Sequence, residues 1–170
     1  VESVVEVPLA KGPGSFVLSP YPRELKRLKH GFAVTATTRI VVANPDDART
    51  LRTAELLRED IRRATGRDLA ISAEGKPDAM DGAIILGRAP LPPALARAVQ
   101  GQGINVTQED PGEQGYVMKI GPASVIIVGS DDAGVFYGTQ ALLQLVEQIP
   151  GDPLPLPGLF IRDWPFLKLR

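Results

Sequence analysis

The order of apolar and polar positions divides the chain into short β-like runs and two long helical stretches. "SVVEVPL" (residues 3–9) alternates weakly and predicts a strand. Pro20 and Pro22 in "LSPYPREL" force an extended path. "GFAVTATTRIVVAN" predicts two short strands, over about residues 32–35 and 39–42. A clear helical pattern follows. Ala48, Leu51, Ala54, Leu57, Ile61 and Ala64 recur at three- and four-residue spacing; Asn44-Pro45-Asp46 supplies start signals and Gly66 a stop. The opposite side carries Arg49, Arg52, Glu55, Arg58, Glu59 and Arg62, the pattern of an amphipathic helix lying on a sheet.

"LAIS" and "GAIILG" predict strands over 69–72 and 82–87; the second is continuously apolar, which implies burial on both faces. "PPALARAVQ" predicts a short helix opening at a proline, and "GQGINVTQEDPGEQG" a polar loop. "GYVMKIG" and "SVIIVGS" face each other across Pro122-Ala123 as a hairpin. A second long helix spans about 132–148, with Val135, Phe136, Leu142, Leu145, Val146 and Ile149 as its apolar side. "PGDPLPLPG" predicts an extended connector and "LFIRDW" a last strand. Together these elements predict an α+β fold, an α/β sandwich: a mixed β-sheet of about seven strands with two main helices on one face.

With 170 residues the chain can bury one proper core. Its 19 basic and 20 acidic side chains leave it near neutral, so a nucleic-acid partner finds no electrostatic footprint. The densest basic run, "RELKRLKH" at residues 23–30, reads as a solvated segment. Aromatic residues make up only 5%, a poor supply for base stacking. The absence of cysteine excludes disulfides, thiolate zinc sites and a cysteine nucleophile. No apolar run approaches the roughly 18–20 residues of a membrane span. The sequon at Asn105 to Thr107 is a three-residue match, too short to carry weight.

The stretch "VIIVGSDDAGVFYGTQALLQL" (residues 125–145) has the strand, glycine turn and helix of many nucleotide sites. Its glycines, Gly129, Gly134 and Gly138, do not have the G-x-G-x-x-G spacing, and Val135 follows Gly134 where a P-loop has lysine. Asp131 and Asp132 occupy the position of a phosphate and would repel one. An adjacent Asp pair could do acid–base work if enclosed; helix capping is the simpler use, and Asp46-Asp47 repeats the device at the first helix. His30 is the only histidine and has no metal-binding or triad motif around it. Neither a metal nor a cofactor is expected. Gly134 and Gly138 each cost a helix up to ~1 kcal/mol against Ala, which implies a helix face pressed against the sheet with no room for Cβ.

"GVFYGTQALLQL" (residues 134–145) strongly resembles the helix motif G-x-F-Y-G-x-Q-T-L-x-Q-L of the N-terminal, non-catalytic domain of family 20 glycoside hydrolases, the β-N-acetylhexosaminidases. Only Ala141 departs, where Thr is usual. "GYVMKIG" resembles the strand ahead of that motif, "SPYPREL…GFAV" the family's opening, and "IRDWPFLKLR" the approach to the catalytic barrel, with Phe166 and Leu167 in place of Arg-Phe. Family 84 glycosidases, which carry a similar leading domain, stay open as an alternative.

The resemblance implies a zincin-like fold without the metal centre. It places an accessory domain at 1–158, and a connector at 159–170 leading to a (β/α)₈ barrel that would follow. In the family an Asp-Glu pair on the barrel performs substrate-assisted hydrolysis; this chain has no Asp-Glu dipeptide and is expected to be inactive alone. Arg170 matches the arginine that grips the sugar when the barrel is present. Phe160, Ile161, Trp164 and Phe166 are expected to pack between domains. The expected partners are the barrel of the same polypeptide and, through it, a glycan, in an extracellular or periplasmic setting. A binding module that stacks sugars on Tyr21, Phe32, Trp164 or Phe166 is the competing reading.

Overall fold

A computed structural model describes residues 16–166. The strand expected over 3–9 lies outside the described residues, as does Arg170. The body is a seven-stranded mixed sheet built from β1 (Glu24–Arg27), β3 (Arg39–Val42), β4 (Ala70–Ala73), β5 (Ala83–Arg88), β6 (Tyr116–Ile120), β7 (Ser124–Gly129) and β9 (Leu159–Asp163). Its strand order is β1-β9-β6-β7-β5-β3-β4. β4, β3, β5 and β7 run parallel, whereas β6, β9 and β1 add antiparallel neighbours. A separate two-stranded ribbon pairs β2 (Phe32–Val34) with β8 (Leu154–Leu156).

The inner strands bury both faces, and successive residues serve different cores. Ile84, Leu86, Met118, Ile127 and Ile161 join the layer beneath α1 (Ala48–Thr65) and α3 (Asp132–Gln148). Ile85, Val117, Ile126 and Val128 join the opposite layer, closed by Leu95 and Val99 of α2 (Pro93–Gln100). The two long helices therefore share one face and the short one covers the other. α1 is amphipathic over its length, burying Ala54, Leu57 and Ile61. Asp47 caps it: one carboxylate oxygen accepts from Thr50 N–H at 3.1 Å, the other from the Thr50 hydroxyl at 2.7 Å.

Three segments differ from the sequence reading. The basic run at 23–30 contains β1, an edge strand whose Leu25 packs on the core while Glu24 and Lys26 face solvent. Charges on an edge strand guard it against further pairing, which is why a strand can look like a solvated segment. The proline-rich stretch contains β8: Leu154 and Leu156 are buried, and Pro155 faces outward on a strand paired on one side only, where a missing N–H is tolerated. Finally, β9 lies between β1 and β6. Residues 159–163 thus pair within the sheet, and Trp164, Pro165 and Phe166 follow it outside any strand or helix.

Candidate functional site

The start of α3 is fixed by its own carboxylate. Asp131, in extended conformation, accepts from Gly134 N–H at 2.8 Å through Oδ1 and from Gln114 N–H at 2.9 Å through Oδ2. The cap thereby ties the helix to the loop before β6. Asp132 lies in the first turn and pairs with Arg49 at 3.1 Å and Arg88 at 3.4 Å. The adjacent acids have different partners and do not converge on a shared proton or ligand. Among the described residues, no group of three or more His, Cys, Asp or Glu side chains is placed to hold a metal.

The glycines let α3 settle onto the sheet. A Cβ on Gly134 would overlap the carbonyl oxygen of Gly115. One on Gly138 would lie 2.5 Å from Ile127 Cγ2 and 3.2 Å from the Tyr116 ring. Close approach of this kind needs glycine, whatever its cost in helix propensity.

The other side of α3 is open. Phe136 is 39% and Tyr137 45% exposed, with their rings edge to face at 5.8 Å. They border a cavity of about 380 Å³ that also touches Ala141, Tyr116, Trp164 and Pro165. The segment before β1 runs along the same helix: Gln148 holds both backbone groups of Val17, and Gln144 both of Ser19, at 2.6–3.0 Å. The cavity is thus framed by the helix motif, the N-terminal segment and the residues through which the chain leaves β9.

That exit is gathered around Arg23. Its guanidinium donates to the Trp164 carbonyl at 2.9 Å and the Pro165 carbonyl at 3.2 Å. The same group lies 3.6 Å from the Phe166 ring centroid and 4.8 Å from that of Trp164. Its backbone N–H donates to Asp163 Oδ1 at 3.0 Å. Burial raises the Asp163 carboxyl above its usual range, against the hydrogen bonds from Arg23 and Trp164 N–H and the Arg23 charge. Burial also pushes the Tyr116 phenol up, with Asp163 adding to the shift.

Of the residues expected between domains, Trp164 and Phe166 are at the exit, and Phe166 is 80% exposed. Ile161 is a correction: it has no exposed surface and belongs to the core under α3. Phe160 packs partly buried against the opposite core layer, away from the α3 side. Phe32 is buried at 4% exposure and cannot stack on a sugar, which removes it from the binding-module set; Tyr21 is half-buried. Phe136, expected in the apolar side of the helix, stands out of it with Tyr137. The wheel holds the missing signal: Tyr137, Gln140, Gln144 and Gln148 recur at three- and four-residue spacing and mark a polar stripe. The aromatic pair lies at the head of that stripe.

These features define a mixed α/β domain with an apolar face beside its chain exit. Residues 16–164 match the family model "Glycosyl hydrolase family 20, domain 2", and the chain belongs to that family. Solved structures share the fold. The β-N-acetylhexosaminidase from Streptomyces coelicolor A3(2), a family 20 enzyme, is 23% identical with a TM-score of 0.56, covering 84% of this chain and 25% of that one. The β-N-acetylhexosaminidase from Bacteroides fragilis NCTC 9343 is 18% identical with a TM-score of 0.59, covering 89% and 25%. CpGH84D is 14% identical with a TM-score of 0.67, covering 88% and 24%. The chain thus spans about a quarter of the length of the structures it matches.

Proposed function

We propose that this chain is the non-catalytic domain of a β-N-acetylhexosaminidase and that its α3 face seats the catalytic barrel of the same polypeptide. The observation that carries this reading is the placement of Phe136 and Tyr137. They belong to the family's helix motif, yet they face out of the domain, around a cavity lined by the exit residues Trp164 and Pro165. Aromatic side chains exposed together at such a point mark an interaction surface. The glycines and the Asp131 cap hold that surface rigid against the sheet, as a scaffold requires.

The Streptomyces coelicolor and Bacteroides fragilis proteins are named for cleaving N-acetylhexosamines, so terminal N-acetylhexosamine residues of glycans are the proposed substrate of the whole polypeptide. A role in carbohydrate breakdown outside the cytoplasm follows from polymeric glycans as substrates. Among the described residues no helix is long and apolar enough to cross a membrane. The likeness to CpGH84D concerns the fold, while the family model supports family 20.

The test is hydrolysis of a chromogenic N-acetylglucosaminide by this chain and by a polypeptide extended through the barrel. Turnover by the extended form alone is expected; turnover by the 170-residue chain would overturn the reading.

A further inference from the structure

We propose that Arg23 is a positioning residue that fixes the direction in which the chain leaves β9. On the reading that a catalytic barrel follows, it thereby sets how that barrel meets the α3 face.

The register of the sheet places it for this role. Glu24 of β1 is paired with Arg162 of β9, so the residue before β1 lies beside the residues after β9. Arg23 then contacts four successive positions: Asp163 through its backbone N–H, the Trp164 and Pro165 carbonyls through its guanidinium donors, and the Phe166 ring, over which the guanidinium carbon lies. Trp164, Pro165 and Phe166 belong to no strand or helix, so these contacts take the place of a ladder. The guanidinium forms no salt bridge with a carboxylate among the described residues; its donors are directed at main-chain carbonyls and its charge lies over the Phe166 and Trp164 rings. A planar fork can make such contacts together, whereas a lysine ammonium is a point charge without the plane. Arg162 of β9 also lies 4.8 Å from the Trp164 ring centroid, so the indole is held by two cations, one from β9 and one from the residue before β1.

Trp164 is the only tryptophan, so indole fluorescence reads this exit and nothing else. The experiment compares wild type, Arg23→Ala and Arg23→Lys by acrylamide quenching of Trp164 and by the rate of chymotryptic cleavage after Phe166. Loss of the cation–π contact and two charge-assisted hydrogen bonds should raise the released population about tenfold in Arg23→Ala. Quenching and cleavage should rise accordingly, with far-UV circular dichroism unchanged. Arg23→Lys should fall between, because it keeps the charge and loses the fork. Unchanged quenching and cleavage in a folded Arg23→Ala domain would overturn the proposal. If that variant does not fold, the same outcome in folded Arg23→Lys would overturn it. In the extended polypeptide, Arg23→Ala should separate one cooperative thermal transition into two. An extended wild-type polypeptide without hexosaminidase activity would defeat the functional reading, while the fluorescence result decides the role of Arg23 separately.

Discussion

Gly134 rests its Cα against the carbonyl of Gly115, an oxygen already held by Ser130 N–H at 2.9 Å. The contact is backbone to backbone, and the neighbour is pinned. Gly134→Ala should therefore destabilise the domain by about 3 kcal/mol, since overpacking against main chain leaves nothing flexible to yield. At Gly138 the obstacles are side chains, and alanine recovers up to about 1 kcal/mol of helix propensity. Gly138→Ala should cost about 1–2 kcal/mol. Urea unfolding of the two variants checks the order; a Gly138→Ala variant less stable than Gly134→Ala would contradict it.

The adjacent acids at the same helix start should separate cleanly. Asp131→Ala removes acceptors from Gly134 and Gln114 N–H and should cost about 1–2 kcal/mol. Asp132→Ala removes ion pairs whose arginines are largely or partly exposed, and should cost no more than about 1 kcal/mol. Denaturant midpoints of both variants measure the difference. A larger loss for Asp132 would mean that its partners hold α3 in place more firmly than the cap does.

Two other carboxyls should shape the pH dependence in opposite directions. Burial raises Asp163 above its usual 3.8, so its protonated form favours the fold. Its contribution is complete below pH 3.8 and lost as pH rises through the folded value. At Asp47 burial also acts to raise the value, but hydrogen bonds from Thr50 and the neighbouring Arg88 outweigh it and hold the carboxyl low. Its contribution is present above pH 3.8 and lost as pH falls through the lower folded value. Asp163→Asn should accordingly stabilise the domain near neutrality relative to wild type and flatten the slope above pH 3.8. Asp47→Asn should weaken it there, with the difference vanishing in stronger acid. Unfolding midpoints collected across this range give both signs.

Much of this was legible because local signals and tertiary packing agree. The apolar spacing of α1, the continuous run of β5 and the hairpin of β6 and β7 each match what the sheet buries. The departures at β1 and β8 share one physical cause. In β1 and β8 the inward positions are few, and the outward ones are held by charges or proline, so period-two patterning is faint. β9 is legible as a strand, but its place between β1 and β6 depends on pairings across most of the chain, which short-range patterning does not carry. The exposed face of α3 is hidden from the pattern for the opposite reason. Phe136 is as apolar as any core residue, and only its angular position about the helix tells it apart.

The most direct test of α3 as the barrel's seat is hydroxyl-radical footprinting of Phe136 and Tyr137 in two samples: this chain alone, and the polypeptide extended through the barrel. Oxidation of both rings is predicted to fall about tenfold in the extended form, as expected for side chains moved from partial exposure into an interface core. Equal oxidation in the two samples would contradict it.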